Sequence, residues 1–455
     1  MRRLPPFLPE PFGAEDARWL ADQGFNSARL GLMYEAVEPE LDTYDDQYIG
    51  RMVEYSRLLA DHGFFNTIDF HQDSFARLFG GDGFPSWAVA NAPDLEERWA
   101  HLAVAFDQID CGLLKFMLQM EFNPILRRSW DHFWSNAELE NGRGLQDQFI
   151  RACAHVLSAF SSEQARLIGY SPLNEPVVGN LVAPLGDHIA AQRGPFYQRW
   201  LDAARKVDPD GLVYLFSDIL TVAGNGKPDP VNVRHLAHSV VDENIGFERH
   251  HYNGSFGGGD PVSQRAQYEE DEELAREVGL PFVVNEFSAS DNDSNTARDV
   301  DYAGELFLSW MMWSYYPEGE ICCSDSGLLL DDSLPASDDN VKPGKADALV
   351  TPYPQAVAGT PLSFHFDRDT ATMSLEYSTE AADARLRSDA ATVIFVPRRV
   401  YPTGYRVEVE GARVISDPTA PWVELLANDT SLLVSVRITG RSGSFVALPS
   451  EYKRP

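Results

Sequence analysis

Lysine is the scarcest charge in this chain. Lys115, Lys206, Lys227, Lys342, Lys345 and Lys453 are the only lysines among 37 basic residues, leaving 31 arginines against 69 acidic residues in a chain of 455. The formal net charge of −32 repels phosphate backbones and anionic headgroups, so binding driven by counterion release is excluded. No nucleic-acid partner is expected. Cysteine is rarer still: Cys111, Cys153, Cys322 and Cys323 are too few and too irregular for a disulfide scaffold or a zinc ribbon, and read as core thiols. No stretch reaches the length of a membrane-spanning helix, so stable membrane insertion is not expected and any contact with a lipid surface is transient. The opening MRRLPPFLPEPFG carries two arginines, but prolines interrupt it and the apolar run of a secretory leader is missing. The compartment therefore stays open between the cytoplasm and secretion from a start farther upstream, and oligomeric state is open too.

What is present is enough to fold. With 44% hydrophobic and 11% aromatic residues the chain can bury a sizeable core, and its length favours one large domain and one smaller. From residue 14 to about 345, amphipathic stretches alternate with short apolar runs, the pattern of repeated β-α units around a parallel sheet. Helices are expected at Ala14–Gln23, Asp45–His62, Gln146–Phe160, Pro195–Lys206, Glu269–Val278 and Tyr302–Leu308. Strands are expected at Phe25–Leu32, Phe64–Phe70, Ile168–Leu173, Leu212–Phe216, Ile245–Tyr252, Phe282–Glu286 and Trp310–Tyr315. That is seven strands, where a closed (β/α)8 TIM barrel needs eight. The expectation is a barrel over 1–345 whose first strand is missing from the chain.

After Gly344 the periodicity changes to two. Ser363–Phe366, Thr372–Tyr377, Ala391–Val396, Tyr405–Glu410, Trp422–Leu426 and Leu432–Ile438 read as an antiparallel β-sandwich over 346–455. The Asp-, Ser- and Pro-rich segment 331–347 reads as an exposed connection.

In a barrel, chemistry gathers at the C-terminal ends of the strands. Two acids stand there: Glu175 in Asn174-Glu175-Pro176 after Ile168–Leu173, and Glu286 closing FVVNE. Cleaving a glycosidic bond needs such a pair, one carboxyl to protonate the leaving oxygen and another to attack or to activate water. A single strand-end Glu is equally well an exposed charge or a helix N-terminal one. Two of them, one inside Asn-Glu-Pro, point to chemistry.

This arrangement resembles the retaining glycosidase superfamily that includes glycoside hydrolase family 5. Within it PFGAEDARWLADQGFNSARLGLMYEAVEP, DFHQDSFARLFGGDGFPSWA, LNEP, HHYNGSFGGG, NEFSAS and PYPQAVAGTP resemble endoglycoceramidases, over residues 11 to 361. The resemblance implies hydrolysis of the β-linkage between sugar and ceramide, a glycolipid substrate, and no metal or organic cofactor. It implies Glu175 as acid/base and Glu286 as nucleophile, with Arg29 and Tyr252 at the nucleophile, His71 and Asp73 on sugar hydroxyls, Asn174 at the 2-hydroxyl, Trp313 beneath the ring and His250 behind the pair. Phe75, Phe79, Phe84, Trp87, Met117 and Phe133 are candidates to line a ceramide groove. Two alternatives stay open: a retaining β-glycosidase for steryl glucosides or glucan, and a carbohydrate- or lipid-binding protein that has lost turnover.

Overall fold

A computed structural model describes residues 12–90, 122–160, 166–180, 188–216, 230–252, 260–288, 291–317, 327–380 and 389–441. Seven parallel strands form one sheet in chain order: β1 Ser27–Met33, β2 Phe65–His71, β3 Leu167–Ser171, β4 Leu212–Leu215, β5 Ile245–His251, β6 Phe282–Phe287 and β7 Ser309–Trp310. Helices connect them: α1 Ala14–Asp22, α2 Asp46–Asp61, α3 Pro124–Trp134, α4 Leu145–Ala159, α5 Gly194–Ala204, α6 Pro230–Ser239, α7 Pro261–Val278, α8 Asp293–Glu305 and α9 Pro343–Leu349. β1 and β7 close the two ends of the sheet and do not pair with each other. A cavity of about 830 Å³ lies along this opening, lined by Leu30, Met52, Trp310 and Met312 and reaching Asp69, His71 and Trp313. Among the described residues, the expected barrel is thus an open, curled seven-stranded sheet.

Apolar spacing sets the buried face of α2. α2 turns Tyr48, Ile49, Met52, Val53, Leu59 and Ala60 inward, and its cap Asp45 accepts from the backbone N–H groups of Gln47 and Tyr48 at 3.0 Å. Such a cap contributes about 1 kcal/mol. β5 is buried at every residue, because one face looks into the sheet's concavity and the other onto α7. Its outward Arg249 and His251 both hold Asp271 of α7, at 3.1 and 2.5 Å. Its inward Glu248 and His250 are left for the site.

Two four-stranded antiparallel sheets, over 353–440, make the C-terminal body around a core that includes Met373, Leu375, Ile394 and Val423. Arg368 is anchored in the barrel by Asp301 at 2.9 Å, and the Tyr353 hydroxyl donates to the Gly24 carbonyl at 2.6 Å. The expected boundary at 345/346 falls inside α9, whose Ala346 and Leu349 join the barrel-side apolar cluster.

Several expectations shift. α7 begins at Pro261, capped by Asp260, and α8 at Asp293, capped by Asn292; both N-terminal halves are too polar to show an apolar stripe. The expected strand Trp310–Tyr315 shortens to Ser309–Trp310, although Met311 and Trp313 still donate to the carbonyls of Val284 and Phe287. Segment 331–347 is not simply exposed. Ala336, Asn340 and Val341 are buried, and the Asn340 amide donates to the carbonyls of Asp331, Leu334 and Pro335. Phe75, Phe84 and Phe133 are fully buried and pack on one another or on Trp130, with Phe79 also in the core, so they form no groove. Trp87 is half-buried and donates its indole N–H to the Glu38 carbonyl at 3.1 Å; Met117 lies outside the described residues. Cys153 is a buried free thiol; Cys111, Cys322 and Cys323 fall outside that range.

Candidate active site

The strand ends bring Arg29, His71, Asp73, Asn174, Glu175, His250, Tyr252, Glu286 and Trp313 to one mouth. Asn174 and Glu175 follow β3, and the Glu175 backbone is left-handed with φ +39°. A non-glycine residue there needs external support. Gln72, just past β2, supplies it: its amide donates to the carbonyls of Asn174 and Glu175 at 2.8 and 3.0 Å. Asn174 is fixed in turn by Arg29, whose Nη2 donates to Oδ1 at 2.7 Å, and by its own amide donating to the Gln72 carbonyl at 3.1 Å.

Glu286 ends β6 opposite. One carboxylate oxygen of Glu175, one of Glu286 and a ring nitrogen of His250 lie within 4.8 Å of one another. His250 Nδ1 stands 2.5 Å from Glu175 Oε1 and 2.5 Å from Glu286 Oε2. In-line hydrogen-bond geometry favours Glu175, so Glu286 is held chiefly as an ion-pair partner. Arg29 adds a second cation 3.7 Å from Glu286 and pairs with Asp69 at 3.0 Å.

These neighbours push the two carboxyls apart. Burial raises the pKa of Glu175, and the charges of Glu286 and Asp73 add to it, outweighing His250. Burial acts the same way on Glu286, but His250, Arg29 and His71 overcome it and hold this carboxyl down at about 2. His250 itself is pushed up to about 9, because the two glutamates outweigh its burial. Glu175 thus binds its proton more tightly than an ordinary carboxyl and Glu286 less tightly, the kind of division that acid and nucleophile require.

His71 is a third buried group held towards its cationic form. Burial opposes its charge, but Asp69 at 2.8 Å and Asp73 at 3.5 Å raise its pKa well above the usual range. Its ring stacks on Trp313 at 4.8 Å and 13°. Trp313 therefore sits in the mouth beside His71 and not in a separate core. Tyr252, just after β5, stands edge-on to His250 at 6.3 Å and adds to the electrostatic hold on Arg29.

Two clusters have the spacing of a cation site among the described residues, Glu175–His250–Glu286 and His71–Asp73–Asp82. In each the histidine lies against carboxylates, His250 at 2.5 Å from Glu175 and Glu286, His71 at 2.8 Å from Asp69 and 3.5 Å from Asp73. Sequence reasoning missed Asp69 and Gln72, though both belong to the DFHQD run: Asp69 is two residues from His71 on the same strand face, and Gln72 is the brace of Glu175. It also missed Glu248, which no quoted motif contains, and Asn285, the first residue of NEFSAS.

The description "Cellulase (glycosyl hydrolase family 5)" matches residues 13–319, and "Glycoside hydrolase family 5 C-terminal domain" matches 352–439. The chain belongs to glycoside hydrolase family 5. Among its relatives, endoglycoceramidase I of Rhodococcus hoagii (strain 103S) is 26% identical over 96% of this chain and 83% of its own length. An endoglycoceramidase of Hydra vulgaris is 25% identical over 89% of this chain and 76% of its own. Of solved structures, endo-glycoceramidase II from Rhodococcus sp. in its ganglioside GM3 complex superposes with a TM-score of 0.71, at 22% identity, covering 95% of this chain and 93% of that one. Cryptococcus neoformans sterylglucosidase 1 does so with 0.72 at 13% identity, covering 95% and 89%. At such identities the superpositions of this family 5 chain speak for the fold.

Proposed function

We propose that this family 5 glycosidase hydrolyses the β-glycosidic bond between the glycan and ceramide of glycosphingolipids, with retention, using Glu175 as acid/base and Glu286 as nucleophile. The observation that carries the mechanism is the pair itself: two carboxyls with oxygens within 4.8 Å, one pushed up and one held at about 2. Retaining enzymes keep their carboxyls about 5–5.5 Å apart, whereas inverting ones need about 6.5–9.5 Å to admit a water. Similarity to endoglycoceramidases along most of the chain supports the ceramide aglycone.

In the first step Glu175 gives its proton to the glycosidic oxygen as Glu286 attacks the anomeric carbon; ceramide leaves and a glycosyl ester forms on Glu286. Esterification removes the Glu286 charge, which is one of the causes raising Glu175. The Glu175 pKa therefore falls when it must act as base towards water. Attack of that water breaks the ester, returns the glycan with its original configuration and restores the proton to Glu175. Asn174, locked by Arg29 and Gln72, meets the sugar's 2-hydroxyl; His71 and Asp73 bind neighbouring hydroxyls, and Trp313 offers its face to the apolar side of the ring. The test is purified protein with glycosphingolipids in detergent, alongside a steryl glucoside and a short glucan. Release of intact glycan and free ceramide supports the reading; turnover confined to the steryl glucoside or glucan assigns another aglycone, and binding without product refutes catalysis.

A further inference from the structure

Beneath the catalytic pair lies a carboxyl that this mechanism does not use. Glu248, on β5, is fully buried. Its Oε2 accepts from Ser171 Oγ of β3 and from Asn285 Nδ2 of β6, both at 2.5 Å. The β6 partner sits at an irregularity. Arg249 pairs with Val284, but the next residue of β5, His250, pairs with Glu286, so Asn285 is an extra residue without an opposite number. It is a β-bulge, a device that re-aims the side chains after it.

The consequence can be followed along the strand. Val284 packs outward in the apolar layer, Asn285 turns inward to Glu248, and strict alternation would then send Glu286 outward. Instead Glu286 faces the site beside His250, and Phe287 packs outward. The bulge therefore puts two successive residues, Asn285 and Glu286, on the inner face.

We propose that Glu248 is a positioning residue for the nucleophile: by holding the amide of the bulge residue Asn285, it fixes the turn of β6 that brings Glu286 into the site. This rests on the reading of Glu286 as nucleophile. The Ser171 bond adds a tie to β3, the strand that leads into Asn174 and Glu175, so one oxygen couples the two strands that present the catalytic carboxyls. Arg29, Asp69 and His250 act on Glu248 electrostatically, and burial pushes it up to about 7. Oε2 accepts in either protonation state, and Oε1, which has no hydrogen-bond partner among the described residues, has room for the proton.

The experiment follows formation of the glycosyl-enzyme in the first turnover of the full chain, with a 2,4-dinitrophenyl β-glycoside whose departure needs no acid. Displacement of a reacting group by about 1 Å costs about 10²-fold. Glu248→Ala is expected to slow this burst by at least about thirtyfold with KM within about threefold of wild type. Glu248→Gln, whose carbonyl can accept both bonds, should restore the rate to within about threefold. Asn285→Ala should reproduce the defect, and the double alanine variant should be no slower than either single one. Should Glu248→Ala fail to fold, Asn285→Ala and Glu248→Gln carry the test. An unchanged burst in the alanine variants, a glutamine variant as slow as alanine, or additive losses would overturn the proposal. Failure of the underlying reading looks different: wild type gives no burst, or Glu286→Ala keeps it.

Discussion

Replacing His250 with asparagine removes the cation that stands 2.5 Å from both carboxyls of the proposed pair, and the structure dictates how the pH profile responds. Glu286 lies at about 2, against an ordinary 4.5, despite full burial. That displacement corresponds to on the order of 3 kcal/mol in favour of the anion. His250 is the largest of the influences lowering it, ahead of Arg29 and His71. Losing it should raise the Glu286 pKa by about one to two units, since two cations remain. Glu175 moves the same way, because His250 is also the chief influence holding it down. In the proposed roles Glu286 must be charged and Glu175 protonated, so activity rises through the first pKa and falls through the second. Both limbs of kcat/KM against pH should therefore shift upward in His250→Asn, measured by pH jump from a common storage buffer. General damage to the fold would lower the plateau without moving the limbs. Stationary limbs, or limbs that move apart, would refute the assignment of His250 as the ion that divides the pair.

Three further outcomes follow from the same geometry. Glu286→Ala should lose turnover with every leaving group, and azide should restore reaction of an activated glycoside with inverted product; Glu175→Ala should form the ester and stall, and azide should release product of retained configuration. Exchanged stereochemistry would exchange the roles. Arg29→Met should cost about 3–5 kcal/mol in denaturant unfolding, because Asp69 stays buried with only His71 as ionic partner; a loss below about 1 kcal/mol would show that Arg29 braces nothing. Thermal stability should fall as pH rises from about 4.5 to 8. Burial raises Glu35, Glu248 and Asp299 to about 7 and Asp82 to about 6, so the stability each adds is present below its unfolded pKa and is lost through these values. His250, raised to about 9, acts in the same direction, while His188, lowered to about 3, opposes it. A midpoint that climbs over that range, read by calorimetry, would contradict the balance.

Six of the eight C-terminal strands were legible because alternation of apolar and polar residues is a local signal: Tyr405–Glu410 is read with the bounds the structure gives it, whereas the short Tyr353–Ala356 and Ala412–Val414 were not read. The barrel strands were legible as buried apolar runs, and seven in sequence are seven in space. The first turns of α7 and α8 were not, since the buried Gln264 of α7 is satisfied across the helix pair by the Asn295 carbonyl and Asp299 of α8, which no periodicity reveals. At the site, motifs placed Glu175 and Glu286 at strand ends. They gave no sign of the Gln72 brace, the shared His250 nitrogen or the bulge at Asn285, because these depend on register between strands far apart in the chain. The groove expected from the DSFARLFGGDGFPSWA aromatics failed for a related reason: a motif shows which residues occur together and not which way they face.

The most direct measurement is the site of covalent capture. Incubating the protein with an activated 2-deoxy-2-fluoro β-glycoside slows hydrolysis of any glycosyl ester, and peptide mass analysis then locates the sugar. The account predicts a single ester on Glu286, abolished in Glu286→Ala and still formed in Glu175→Ala. A sugar carried by Glu175, or active protein that never becomes labelled, would contradict it.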